Sequence, residues 1–557
     1  MKKKRVIIKR LAIGIIVILT IVRIFIALNT PVTVAPEQIY DDQLMFEYSS
    51  SLHDFRWLGE YNLLTLVKHI AYPVFLSTNA NLLIPYQIGI SIFYIIAIIV
   101  FCRSLKPVLS TKARVIIYLL MLYSPIMLSL EVGNRMYRNV LLPGSVLLLF
   151  GSYIGLFLRR DGTKKQLALW SIASTISLVF FWNIKEDGIW ALPFTGTLSL
   201  IILVCWIAKK RKEKDFKLLP RFMMLSLPIL SVFLVNQIIS FINFQTYGVY
   251  ITNDKNKGEF SRMVSDIMRV EDNSTHDHKV WISNEKIKNI AEHSPTFAQI
   301  SDEIIASDAW GQPDGEAYGD HTIWKIRYIM SENGFFETAQ KVQDFSTRVA
   351  DEIETAIEKG ELKTDQGLHI SPQMRGINAE DIKNSLFYSI SWSARISCYS
   401  DIEIKDRYSY SSRTAETDSI IHRYNVFTLY SGDEPGTIQK NNNSVSSAIN
   451  SIYKVTSPVV VIVSIVSYII LVVIIIKDKK RRMKHAEIFI ILSGVGLSAL
   501  LVTAEVYLFS DFLFDMIATS YLRIFYCAPV YSLLEIFKYT AIAYALKILF
   551  TSKDKRR

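Results

Sequence analysis

Residues 457–484 read SPVVVIVSIVSYIILVVIIIKDKKRRMK. The first twenty carry no charge, and six of the next eight are Lys or Arg. At a rise of about 1.5 Å per residue, twenty apolar residues in a helix match a hydrocarbon core about 30 Å thick. A basic cluster at one end of such a run marks its cytoplasmic end. This stretch therefore predicts a helix that crosses a bilayer, and it sets an orientation for the segments on either side.

Working outward, similar runs recur near residues 11–28, 82–102, 113–130, 140–158, 166–182, 189–208, 222–242, 487–507 and 528–549, which makes ten predicted spans. The loops between them agree with one orientation. Arg103, Lys106, Lys112 and Arg114 fall inside, as do Arg159, Arg160, Lys164 and Lys165, and the clusters 209–217, 477–484 and 553–557. Both termini are expected in the cytoplasm of a multi-pass cell-membrane protein. The basic stretch 1–10 could begin a secretory signal, but the run after it ends Ala27-Leu28-Asn29 without a small-x-small cleavage pattern. An uncleaved first span is the expectation.

Composition narrows the class further. Half of the 557 residues are hydrophobic and the net charge is +11. That excess of Lys and Arg sits in short inter-span loops, where it fixes orientation, so nucleic acid is excluded as a partner. Cys102, Cys205, Cys398 and Cys527 share no close spacing and form no metal pattern; only Cys398 lies in the polar region, so no disulfide is expected there.

Three domains follow: an N-terminal membrane part of about seven spans (1–242), an inserted extracytoplasmic region (243–456) and a C-terminal membrane part of about three spans (457–557). The fold class is an α-helical polytopic membrane protein with an inserted, mainly helical domain in which some β structure is allowed. Within the insert, residues 282–305, 335–349 and 351–359 have amphipathic helical periodicity, and Gly360 is placed to end the last. Residues 391–430 alternate β-branched and aromatic side chains, which suggests short strands. Residues 441–447 read as a polar linker. Between the first two spans, residues 54–76 give an apolar face of Trp57, Leu58, Leu63, Leu64, Leu66, Val67 and Ile70, predicting a helix in the membrane interface, broken at Pro73.

Polar groups recur on the predicted outer side of this scaffold. They are Tyr40-Asp41-Asp42-Gln43, the segment from Glu131 through Arg135 and Tyr137 to Arg138, and Lys185-Glu186-Asp187-Gly188. Carboxylates beside a bilayer are costly unless solvated, paired or used. A carboxylate such as Asp41 or Asp42 can take the proton of a reacting hydroxyl, and adjacent acids permit Mg²⁺ or Mn²⁺ without requiring either. Arg135, Arg138 and Lys185 suit phosphate oxygens, with Glu131, Glu186 and Asp187 as supporting acids. Each also has a plain reading: a solvated loop, an interfacial ion pair or a tight turn. Arg523, among aromatics in Tyr521-Leu-Arg523-Ile-Phe-Tyr526, reads either as a phosphate contact or as an interfacial anchor. His276, His278 and His293 lack zinc-type spacing. Residues 308–321 combine Gly, aromatics and acids, a composition found in sugar-binding loops and also in plain turns. No phosphate-binding glycine loop, dinucleotide fingerprint or Ser–His–Asp signature is present.

Taken together, Asp41-Asp42, the segment Glu131 to Arg138 and the Arg–aromatic–Pro pattern of 521–531 resemble the GT-C superfamily of integral-membrane glycosyltransferases, over perhaps 300 residues of the membrane parts. The resemblance implies a polyprenyl-phosphate-linked sugar as donor and an envelope glycan or glycolipid as acceptor. It implies Asp41 as general base with Asp42 beside it, and Arg135, Arg138 and Arg523 as phosphate contacts. GT-C members commonly carry their soluble domain at the carboxyl end, whereas here it is inserted between spans. The stretches Ser294-Pro-Thr-Phe-Ala298 and His321-Thr-Ile-Trp324 are also similar to uncharacterised bacterial membrane proteins, which brings no activity with it. The rival expectations are a non-catalytic transporter or assembly protein for envelope lipids, which needs polar groups at mid-membrane depth, and a ligand sensor.

Overall fold

The computed structural model describes residues 2–272, 278–312, 315–477 and 482–553. His276, Asp314, the basic residues 479–481 and residues 554–557 lie outside the described residues.

Apolar runs of this length fold as helices because a helix satisfies every backbone N–H and C=O within its own segment. All ten runs do so, as Lys2–Leu28, Tyr86–Ser104, Thr111–Leu122, Leu141–Phe157, Lys164–Trp182, Leu192–Lys212, Leu218–Tyr247, Thr437–Lys477, Arg482–Ser510 and Ala528–Lys553. Among the described residues, eight helical stretches are long and apolar enough to cross a membrane, compatible with a multi-pass protein. The runs at 166–182 and 528–549 are not among the eight. Lys164–Trp182 turns Ser171, Ser174 and Ser177 inward, and Ala528–Lys553 buries Glu535 and Lys538.

Leu141–Phe157 is the hub of this helical bundle. It is buried along nearly its whole length and packs on Tyr86–Ser104, Lys164–Trp182 and Ala528–Lys553. A methyl group at Gly151 would lie 2.8 Å from Phe101 Cα, so the glycine is what lets two backbones approach this closely.

The inserted region is built on helices as well. Ala339–Glu358 buries Val342, Phe345, Val349 and Ile353 against Phe260, Met263 and Ile267 of Gly258–Arg269. It stops before Gly360, whose φ of +75° supplies the expected left-handed end.

Four expectations change. No strand forms among the described residues: 391–430 holds the end of Ala379–Ser397, the helix Ala415–Tyr424 and irregular chain between and after them, with an isolated bridge from Ser411 to Tyr430. Residues 54–70 are not an interfacial helix. They form consecutive turns with left-handed Phe55, Trp57, Gly59 and Leu66, and their apolar residues Leu58, Leu64, Leu66 and Val67 are buried in protein. Pro73 falls in the first turn of the helix Ala71–Asn81, where its missing N–H costs nothing. Residues 282–305 split at Ser294 into Asn284–His293 and Ala298–Ala306, and the supposed linker 441–447 is part of the 41-residue helix Thr437–Lys477.

Candidate functional site

The chain after Lys2–Leu28 is clamped from two sides. Thr33 N–H donates to Asn134 O (2.8 Å) and Met136 N–H to Thr33 O (2.9 Å), while Val32 N–H donates to Phe427 O (3.0 Å). This brings the first and second polar segments together. The acids follow on one wide turn, Ile39–Gln43, in which Gln43 N–H reaches back five residues to Gln38 O (3.1 Å). Such turns are frequent at functional sites.

The two neighbouring aspartates have different surroundings. Asp42 is 0% exposed and accepts the fork of Arg135, from Nε at 3.1 Å and Nη2 at 2.5 Å. Burial pushes its carboxyl up to about 6, with the Arg135 cation opposing the rise, so the pair is ionic at neutral pH. Asp41 keeps 50% of its side chain exposed while protein surrounds it on most sides, as at the mouth of a recess. It accepts from Lys68 Nζ and, at 2.9 Å, from the Tyr137 hydroxyl. Burial works against its ionisation, but the Lys68 ammonium and these two hydrogen bonds outweigh it and hold the carboxyl well below the usual range.

Lys68 is the residue that sequence reasoning missed. It is 4% exposed, and its Nζ also donates to Tyr40 O at 2.5 Å. Burial lowers its pKa to about 8 despite the Asp41 carboxylate. Its signal was visible: a lysine on what reads as the apolar side of residues 54–76. Tyr137 links the groups onward, donating to Asp41 while accepting from Arg138 Nε at 3.2 Å.

The third polar segment joins through Arg138, whose Nη1 lies 2.9 Å from both Glu186 oxygens. Glu186 also accepts from the His69 backbone N–H at 2.8 Å. Burial would raise the Glu186 carboxyl, and Arg138 and His69 together hold it below the usual range. Lys185 pairs with Asp187 at 2.7 Å and lies 5.9 Å from the Tyr526 ring. Asp41, Asp42, Arg135, Arg138 and Glu186 thus form one connected group, with Lys185 and Asp187 adjacent in the chain.

Two expected members stand elsewhere. Glu131 meets Arg407 at 3.4 Å. Arg523 turns Nε and Nη2 to Asp401 (2.7 and 2.8 Å), away from the group around Asp41. The cause is helical geometry. In Thr519–Phe525, residues two apart point to opposite sides whereas residues four apart share one. Tyr521 and Phe525 therefore reach the site: the Tyr521 hydroxyl accepts from Arg135 Nη1 at 2.7 Å, and the Phe525 ring lies 4.9 Å from the Arg135 guanidinium.

The inserted region covers the group. Trp324 and Trp310 lie 4.8 and 5.1 Å from the Tyr40 ring, and Lys255 Nζ sits 5.0 Å over Trp324. Among the described residues Lys255 has no carboxylate within ion-pair reach, unlike Lys68, Arg135 and Arg138. Asp41 and Asp42 each face a separate cation, and no three His, Cys, Asp or Glu side chains gather as a metal site among the described residues. The arrangement offers a half-open carboxylate with one ammonium bonded to it, further cations on the neighbouring acids and an aromatic wall. No family model matches the chain, and comparison with curated proteins finds no match either.

Proposed function

We propose that the protein is a membrane glycosyltransferase that moves a sugar from a polyprenyl-phosphate carrier to an envelope glycan or glycolipid at the extracytoplasmic face. The observation that carries this reading is the contrast between Asp41 and Asp42. Only Asp41 presents a carboxylate that a substrate can reach.

In this reading Asp41 takes the proton of an acceptor hydroxyl as its oxygen attacks the anomeric carbon. The bond from that carbon to the phosphate oxygen breaks, inverting the centre and releasing polyprenyl phosphate. With Lys68 bound to it, Asp41 is too weak a base for the task. A donor phosphate supplies Lys68 with a second anion, and Asp41 regains basicity as the ammonium shifts toward it. Lys255 is a further cation for the phosphate. Arg135 and Arg138 act by fixing Asp42, Tyr137 and Glu186, and positioning with charge stabilisation supplies most of the rate. Arg523 has no part in it.

A lipid transporter is the second reading. It is favoured by Glu535, which is buried within Ala528–Lys553 and accepts from Ser124 (2.5 Å) and Tyr399 (2.6 Å), with Lys538 buried one turn on. One experiment separates the two. Purified protein is given a panel of polyprenyl-phosphate sugars and an extract of envelope acceptors, and mass spectrometry follows release of the free carrier. Acceptor-dependent release that disappears in Asp41→Asn supports the transferase. Lipid binding without release favours the transporter, and wild-type turnover in Asp41→Asn removes the base assignment.

A further inference from the structure

Residues 307–312 and 315–320 are held against one another as the two arms of a loop. Gly311 N–H donates to Asp308 O (2.9 Å), Gln312 N–H to Glu316 O (2.7 Å), and Gly311 bridges Ala317. The loop is fastened from both sides: Glu316 accepts from Asn284 N–H at 2.9 Å, and the Thr322 hydroxyl donates to Ala317 O at 3.0 Å. Gly319 completes the fastening. With φ +58° and the Phe512 ring 2.3 Å from where a Cβ would stand, no other residue fits there.

This rigid loop displays Trp310. Its φ is +55°, a left-handed conformation uncommon for a bulky residue, and strain of this kind is retained where the surroundings enforce it. The ring is only partly buried. It lies 5.1 Å from Tyr40 at 56° and 6.2 Å from Tyr328 at 73°, while Trp324 lies 4.8 Å from Tyr40 at 52°. No two of these rings are parallel, so they do not close on one another as a stack. Tyr40 immediately precedes Asp41.

The polar ends of the rings supply a second observation. Buried Trp and Tyr usually hydrogen-bond through Nε1–H or O–H. Here Tyr40, Trp310 and Tyr328 are only partly buried. The indole nitrogens of Trp310 and Trp324 and the hydroxyls of Tyr40 and Tyr328 make no hydrogen bond to protein among the described residues yet are not sealed inside it, so they stay open to water or a ligand. Burial, with a smaller contribution from the Tyr328 phenol, raises the Tyr40 pKa. Apolar faces beside unused donors and acceptors match a pyranose, whose C–H face is apolar and whose rim is hydroxyls.

We infer that Trp310, Tyr40, Tyr328 and Trp324 form a subsite for a pyranose ring of the acceptor, with Trp310 as its stacking platform. The inference rests on the transferase reading for the word acceptor alone; the sugar subsite itself stands on the geometry of the rings.

The test measures binding without turnover. Asp41→Asn protein, with no donor lipid, is titrated with neutral disaccharides of glucose, galactose, mannose and N-acetylglucosamine, and tryptophan fluorescence is recorded. A saturable change is expected with at least one sugar. Affinity should fall about tenfold or more in Trp310→Leu, which keeps apolar bulk but no ring face, and stay within about threefold in Trp310→Phe. Tyr328→Ala gives an independent reading should the Trp310→Leu variant fail to fold, with the same loss expected. Equal affinity in the Leu and Phe variants, or no saturable response to any sugar, overturns the subsite. Carrier release is not needed for this result, so the subsite and the transferase reading fail separately.

Discussion

Two ionic groups in this protein are each built around one aspartate and differ in what they leave open. In one, Arg523 and Arg395 close on Asp401, whose side chain is 3% exposed. In the other, Lys68 and Tyr137 hold Asp41, yet half of that carboxylate still faces water. Both tie distant parts of the chain together. Only the second retains an oxygen that a substrate can meet. An ion pair near a membrane is therefore informative about chemistry by its accessible remainder, and the charges alone do not distinguish a fastening from a site.

The comparison breaks most sharply at the acids. Asp41→Asn should lower kcat for sugar transfer by about 10²–10⁴-fold, the usual worth of a positioned base, with donor binding unchanged. An equal loss in donor binding would make Asp41 a fastening like Asp401. Arg523→Ala should do the reverse, costing about 2 kcal/mol of stability by taking charge-assisted hydrogen bonds from a carboxylate that then keeps only Arg395, while turnover per folded molecule stays at the wild-type level. Denaturant unfolding in detergent together with a turnover assay reads both quantities.

A smaller effect is expected from pH. Lys68 is charged below about 8 in the folded protein and loses its proton as pH rises through that value. If its ammonium receives the donor phosphate, kcat/KM for the donor falls above about pH 8, because this ratio reports the free enzyme. The kcat, set in the donor-bound complex where the phosphate keeps Lys68 charged, should stay level across the same range. In Lys68→Arg the fall in kcat/KM should vanish, since a guanidinium remains charged. The smallest change belongs to Arg407→Ala at the outlying Glu131 pair. Arg407 is largely exposed, so stability should move by less than about 1 kcal/mol and turnover by nothing measurable.

What the sequence made legible follows from the range of the forces involved. Apolar runs declare helices locally, so all ten helices of the bundle were readable, including Lys164–Trp182 and Ala528–Lys553, whose inward Ser, Glu and Lys make them poorer in hydropathy. Residues 54–70 were misread because apolar spacing cannot separate a helix from buried turns, and the left-handed residues there have no reliable sequence sign. The three polar segments, read from the sequence as lying on one side of the scaffold, come together in the fold. Arg523 was misassigned because its partner Asp401 is 122 residues away and invisible to any local pattern. Lys68 and Lys255 were missed for a related reason: Lys68 left a local sign in its place on an apolar side, but the meaning of either charge comes from the fold around Asp41.

The helix Thr437–Lys477 has 41 residues, and at about 1.5 Å each it is roughly 60 Å long, twice a bilayer core. Its first half is riveted to the inserted region, with Asn443 donating to the carbonyls of Ile404 and Arg407 and Asn450 to that of Ile402. One helix thus runs from the insert into the apolar bundle, and each residue added before Ser457 would shift its two halves by about 1.5 Å and about 100° relative to each other, against the other contacts that hold the insert.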